Sequence, residues 1–200
     1  MQLTTMRTMR KRMQGVSLLE VLVTMVIVVI GLLGIAGLQA RAHVPELESY
    51  QRAQALVLLN DMVERVNANR ASARCYAITD PLSGSPFLGT AAGAHLGTPN
   101  CTSGYLNTQT RLLANSDLVE WDEALQGAAE KSSGVSVGAM VGARGCVSYD
   151  AATGIYTAAV AWQGMSDTFA PVVNCGNGQY GGAETRRRTV WTTFRIAPLS

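Results

Sequence analysis

The sequence predicts an α+β chain: a long amino-terminal helix, transmembrane in its first half, packed on a small antiparallel β-sheet head. Three observations predict it. From Val16 to Leu38 the chain reads VSLLEVLVTMVIVVIGLLGIAGL, 23 residues with a single charge, Glu20. Apolar positions then recur at helical spacing as far as Val66. Beyond Gly134 the apolar period shortens to two, the mark of strands with one buried face. With 200 residues, 48% apolar and 15% charged, the chain has material for one ordinary domain and an additional segment, and intrinsic disorder is excluded as its main state.

The first element is the apolar segment. As a helix its 23 residues span about 35 Å at roughly 1.5 Å each, enough for a hydrocarbon core of about 30 Å. Arg7, Arg10, Lys11 and Arg12 precede it. The positive-inside bias therefore places the amino terminus in the cytoplasm and the residues after Leu38 outside. Removing this basic start turns the formal charge of +2 into −2, so the remainder has no general electrostatic footprint for nucleic acid.

Three readings compete for the segment. A cleaved secretory signal, with Ala40-Arg41-Ala42 as its site, has a shorter apolar stretch of about 7–15 residues and no acid within it. A plain membrane anchor fits the length but leaves Glu20 unexplained, because an ionisable group in hydrocarbon is costly without a partner. The third starts from Gly15-Val16-Ser17-Leu18-Leu19-Glu20, which resembles the cleavage and methylation motif of type IV pilins and pseudopilins. The resemblance implies that a prepilin peptidase cuts after Gly15 and methylates the new amino terminus at Val16, where the family usually has Phe. Glu20 then matches the acid at the fifth mature position. In stacked subunits its carboxylate can neutralise a neighbour's α-amine, which removes two desolvation costs together. Ser17-Leu18-Leu19-Glu20 also fits a capping box. Gly31, Gly34 and Gly37 allow either close helix packing or local flexibility.

Gln39, Arg41 and His43 mark emergence from the bilayer, and Pro45 is expected to kink or interrupt the helix. Ala55, Leu59, Met62, Val63 and Val66 form the buried face of its continuation, while Arg52, Asp61, Glu64, Arg65 and Arg70 read as solvated surface. LNDMVERVNANRA at 59–71, Ala143-Arg144-Gly145-Cys146 with Tyr149-Asp150, Val160-Ala161-Trp162-Gln163-Gly164, and Cys175-Gly176 before Arg186-Arg187-Arg188 together resemble the PilV family, the type IV pilus modification proteins, which are minor pilins. The likeness spans most of the chain and is weakest between Cys75 and Leu118. It implies a role in initiating or priming pilus assembly, in support of twitching motility or adhesion. Its implied partners are the prepilin peptidase, other minor pilins, the major pilin and the inner-membrane assembly platform.

Residues 77–106, rich in Gly, Ala, Ser, Thr and Pro, read as a long surface loop. A short helix over Arg111 to Gln126 puts Leu118, Trp121 and Leu125 on one face, and the acids Asp117, Glu120, Asp122 and Glu123 are ascribed to its amino-terminal end. Alternation at Val135, Val137, Ala139 and Val141 predicts a strand. Gly145 to Tyr149 and Ile155 to Trp162 then flank a turn-rich spacer of hairpin length, and a last strand over Thr189 to Ile196 places Val190, Phe194 and Ile196 on one face. The domain expectation is leader 1–15, transmembrane helix 16–38, extramembrane helix 39–74 and head 75–200.

Cys75, Cys101, Cys146 and Cys175 contain no C-x-x-C pair, and His43 and His95 are not at metal-ligand spacing from them, so neither a metal nor another cofactor is expected. Disulfides are expected instead, in a translocated head. Of three connectivities, Cys75 with Cys101 and Cys146 with Cys175 close the shorter loops. No nucleophile elbow, phosphate loop or dinucleotide fingerprint is present, so no enzyme is expected. Arg186-Arg187-Arg188, without interleaved aromatics, reads as a solvated turn in preference to a nucleic-acid site. Asn100-Cys101-Thr102 fits a glycosylation sequon whose central cysteine is expected to be bridged.

Overall fold

The computed structural model describes residues 15, 17–90, 93–101, 108–128, 131–132, 135–136, 140–182 and 184–197. Helix α1, Leu18–Ala68, contains Pro45, and the helical backbone is continuous through that position. The chain divides into two compact units, Met1–Pro45 and Glu46–Ser200.

In the first unit, α1 begins at Ser17, whose carbonyl accepts from the N–H groups of Glu20 at 3.0 Å and Val21 at 3.2 Å. Its hydroxyl accepts from the Leu19 N–H at 3.3 Å, which supplies a partner to one of the donors a helix start leaves free. The large apolar side chains from Leu18 to Leu38 are exposed all round. By length and composition this stretch is apolar enough to cross a membrane.

In the second unit, the rest of α1 leads into a 3-10 turn, Arg70–Tyr76. There follow β1 (Leu88–Gly89), α2 (Thr108–Leu125), β2 (Lys131–Ser132), β3 (Val135–Ser136), β4 (Arg144–Asp150), β5 (Ile155–Gln163) and β6 (Arg187–Phe194). The main sheet is antiparallel in the order β1-β4-β5-β6, and β2 pairs with β3 in a separate two-stranded ladder.

Period-two alternation in β5 sends its side chains to two faces, and both are buried. Tyr156, Ala158, Val160 and Trp162 join Val147, Val190, Ala55, Leu59, Met62 and Val66 of α1, and Leu118, Trp121 and Leu125 of α2, in the main core. Ala159 and Ala161 face a smaller cluster with Phe87, Cys146, Cys175 and Tyr180. Close packing has reached its limit at Gly145, where an added Cβ would stand 2.4 Å from the Trp121 ring and 2.5 Å from Leu125.

The β4–β5 hairpin turns where the spacer stands. Asp150 accepts from the Ala152 N–H and the Thr153 hydroxyl, and Gly154 takes the positive φ of +70° that such a turn requires. Three expectations are corrected. The stretch after Cys75 is more than surface loop: Phe87 and Leu88 are fully buried, and β1 pairs with β4. The strand expected over Val135 to Val141 is a two-residue rung at Val135–Ser136; residues 137–139 lie outside the described set. Met140 is buried while Val141 is half exposed, because the chain turns there at Gly142, whose φ is +62°.

Candidate functional site

The residues expected to carry processing and assembly lie at the start of α1. Gly15 is exposed, Val16 lies outside the described residues, and Glu20 stands exposed on the first turn. Ser17 fulfils the capping half of the Ser17–Glu20 pattern through the Leu19 N–H; among the described residues the Glu20 carboxylate has no hydrogen-bond partner. A lone carboxylate beside exposed Leu18, Leu19, Val21, Leu22 and Val23 is an unneutralised charge in a stretch suited to hydrocarbon. Thr24 satisfies its own hydroxyl on the Val21 carbonyl at 2.9 Å, which leaves Glu20 as the chemical exception. Gly31, Gly34 and Gly37 have nothing within 4 Å of an added Cβ, so an adjacent helix could approach closely there.

In the second unit, disulfides join Cys75 to Cys101 and Cys146 to Cys175, with Cα separations of 5.3 and 5.7 Å. The first ties the end of the 3-10 turn to the chain before α2. The second fastens the segment after β5 onto the sheet, against Ala159 and Ala161.

Of the charged residues read as solvated surface, Arg52, Glu64 and Arg70 are exposed, whereas Arg65 and Asp61 are structural. Arg65 donates to Asp61 at 2.9 Å, to Asp117 at 2.9 Å and to Glu120 at 2.8 Å, joining α1 to α2. Burial disfavours the Arg65 charge, but hydrogen bonds to Glu120, Asp61 and Asp117 outweigh it and hold the guanidinium above its ordinary pKa. Asp117 also accepts a short hydrogen bond from the buried Tyr76 hydroxyl, and Asn69 donates to that hydroxyl at 3.2 Å. Burial, and then the Asp117 carboxylate, push the Tyr76 phenol well above its usual range. Asp122 accepts from the Gly89 N–H at 2.6 Å and pairs with the His95 ring at 2.9 Å, which binds β1 to α2. The helix-terminus account of these acids is therefore corrected: α2 starts at Thr108, and Asp122 and Glu123 lie in its last turn, where the helix dipole disfavours acids.

Arg186-Arg187-Arg188 is likewise no solvated turn. Arg187 is 2% exposed, ion-paired to Glu184, and donates to the carbonyls of Val173 and Cys175. Arg188 donates to the Ser166 and Thr185 carbonyls at 2.7 and 3.0 Å and reaches Glu48 of α1 at 3.4 Å. Only Arg186 is largely exposed, and it pairs with Asp167. Arg144, inside the smaller cluster, lies over the Tyr180 ring at 4.6 Å and the Phe87 ring at 5.1 Å. Burial pushes the neighbouring Tyr180 phenol up to about 12.

Two clefts of about 200 Å³ open on this unit. One lies between Pro81, Ser148, Thr157 and Asn174, the other between Arg74, Leu96, Pro99 and Asn100. Neither gathers a nucleophile with a base. No group of His, Cys, Asp and Glu able to hold a metal is found among the described residues.

A model of the prokaryotic N-terminal methylation motif matches residues 10–36. No curated protein and no solved structure matches the chain. The matched motif, the apolar helix and the small antiparallel sheet support a type IV pilin-like protein, pilin or pseudopilin, with the processing by prepilin peptidase that the motif implies.

Proposed function

We propose that the chain is a minor pilin of the PilV type, cut after Gly15, methylated at Val16, held in the inner membrane by residues 16–38 with its head in the periplasm, and incorporated in small numbers into a type IV pilus. The observation that carries this is Glu20, the single charge of the exposed apolar stretch 16–38, placed inside the matched motif. In lipid it is an uncompensated cost; among like helices it meets an α-amine. Function then lies in packing. The helix leaves lipid for a bundle of its kind, and the head offers surfaces to other minor pilins and the major pilin, priming assembly and so supporting twitching or adhesion. The motif serves type II secretion pseudopilins equally, and the sequence resemblance of the head to minor pilins favours the pilus reading.

The test is the amino terminus of protein taken from membrane and sheared-pilus fractions, read by mass spectrometry. A chain starting with methylated Val16 in the pilus fraction is expected. A start at His43, or an intact Met1, overturns the processing; processed protein with no loss of surface pili on gene deletion moves the reading to a secretion pseudopilin.

A further inference from the structure

The face of the sheet turned away from the main core carries the cleft at Pro81 and Asn174, about 200 Å³ in volume. Its floor follows from the register. Period two sends Ser148 of β4 and Thr157 of β5 to this face as direct cross-strand partners, and Thr193 of β6 is in turn the partner of Thr157. Cys146, Ala159 and Trp191 form the next row in the same way. Cys146, Ser148, Thr157 and Ala159 line the cleft, and Trp191 and Thr193 continue the same surface on β6. Trp191 is 51% exposed, beside an alanine too small to cover it. Among the described residues, the hydroxyls of Ser148, Thr157 and Thr193 have no hydrogen-bond partner in the protein.

The walls are fixed before anything binds. The Asn174 carboxamide donates to the Leu82 carbonyl at 2.9 Å, and the Gly176 N–H donates to the Gly84 carbonyl at 3.1 Å. At Gly84 an added Cβ would stand 1.6 Å from the Asn174 carbonyl oxygen, so the two walls meet backbone to backbone. The segment that supplies Asn174 is held at its start by a joint with α1, where Glu48 accepts from the Met165 and Ser166 N–H groups at 3.0 and 3.3 Å, and at its end by the Cys146–Cys175 disulfide. Walls ordered in advance lower the cost of binding. The lining selects the ligand. Among the described residues none that lines the cleft is charged, so nothing there neutralises a phosphate, a carboxylate or an amine. Hydroxyls that both donate and accept, a carboxamide oxygen without a protein partner and a flat aromatic surface beside them suit a ring with C–H groups on its face and hydroxyls at its rim. We propose that this surface binds a neutral pyranose, the end unit of a glycan, with its apolar face on the Trp191 indole and its hydroxyls on Ser148, Thr157 and Asn174. A cavity of about 150 Å³ already admits a six-membered ring, so the cleft has room for one unit. A purely apolar ligand would instead strip water from hydroxyls it could not satisfy. The assignment goes beyond the assembly reading and does not depend on it, because every residue it uses belongs to the second unit.

The full chain, in a detergent without a sugar headgroup, is titrated by saturation-transfer NMR with the methyl glycosides of glucose, galactose, mannose and N-acetylglucosamine, and with methyl glucuronide as the charged comparison. At least one neutral glycoside should bind in the millimolar range, as one ring in an open, wet cleft does, with transfer strongest at the C–H protons of one ring face. Trp191→Ala and Thr157→Val should each weaken that binding about three- to tenfold. Trp191→Phe, which keeps an aromatic surface, should weaken it less, and the thermal midpoint of each variant checks that it folds. No binding of any of the four at tens of millimolar overturns the proposal. So does binding that Trp191→Ala and Thr157→Val both leave unchanged, which puts the sugar elsewhere, or methyl glucuronide held as tightly as the neutral glycosides.

Discussion

At Arg65 one guanidinium is shared among three carboxylates, and the arrangement is asymmetric. Asp117 is mostly buried while Glu120 is mostly exposed, so the pair with Asp117 decides the energy. Arg65→Leu leaves Asp117 with the Tyr76 hydroxyl alone, and an unsatisfied partly buried acceptor costs about 1–3 kcal/mol. The urea midpoint should fall accordingly, whereas Glu120→Gln should hardly move it. Gly145→Ala tests packing where charge is absent. The added methyl meets the Trp121 ring and Leu125 in the fully buried core, so a loss of about 1–3 kcal/mol is expected in the same measurement. Glu48 makes the third residue-scale prediction. Burial raises its pKa, but hydrogen bonds from Met165 and Ser166, with Arg188 nearby, outweigh this and bring it below the ordinary glutamate value. A carboxyl depressed in the folded state stabilises above its unfolded value and loses that contribution as pH falls through the folded value. Unfolding free energies of the parent and Glu48→Gln should therefore differ by a constant amount from neutral pH to about 5 and converge as pH falls through the lowered folded-state value. A gap unchanged at acid pH would contradict the joint.

At the scale of elements, the segment from Gly164 to Cys175 is held as a unit by Arg187, Arg188 and the Cys146–Cys175 disulfide. Replacing both cysteines by Ala removes a cross-link of sequence separation 29 and should cost about 2–4 kcal/mol. Protease cleavage should then appear first between Met165 and Cys175, while β4, β5 and β6, joined by the two long ladders, stay protected. The same elements show what the sequence made legible. Period two marked β4, β5 and β6, the spacing of Leu118, Trp121 and Leu125 marked α2, and Asp150 to Gly154 marked the turn, because each signal is local. β1 escaped because a two-residue strand in a Gly- and Pro-rich stretch has no period to detect; its evidence is a pairing with Arg144 and Gly145 more than fifty residues on. The arginines and acids escaped for the same reason. Arg65 and Asp117 are 52 residues apart, and Arg188 and Glu48 are 140 apart. A charge looks solvated in sequence until its distant partner is known. The start of α1 was legible because Ser17 caps it within its own first turn.

For the whole molecule, the division at Pro45 falls between a stretch whose apolar side chains are exposed and one that builds a buried core. Up to Leu38 the large apolar side chains are exposed, which is unfavourable in water and ordinary in lipid. From Gln51 onward α1 has buried positions, and Ala55, Leu59, Met62 and Val66 supply the helical face of the main core. Among the described residues no core side chain precedes Gln51, so the hydrophobic stabilisation of the head is independent of the apolar stretch. A chain beginning at Gln39 keeps the Glu48 joint, both disulfides and every buried residue described. It should therefore unfold in aqueous buffer with the same thermal midpoint as the head of the full chain in mild detergent. A chain beginning at Ala53 loses Glu48 and Gln51 and should melt several degrees lower, as a loss of about 1–2 kcal/mol implies in a domain of this size. Equal midpoints for all three would mean that the Glu48 joint contributes nothing. A lower midpoint for the Gln39 chain would mean that the apolar stretch stabilises the head directly, a coupling its exposed side chains give no reason to expect.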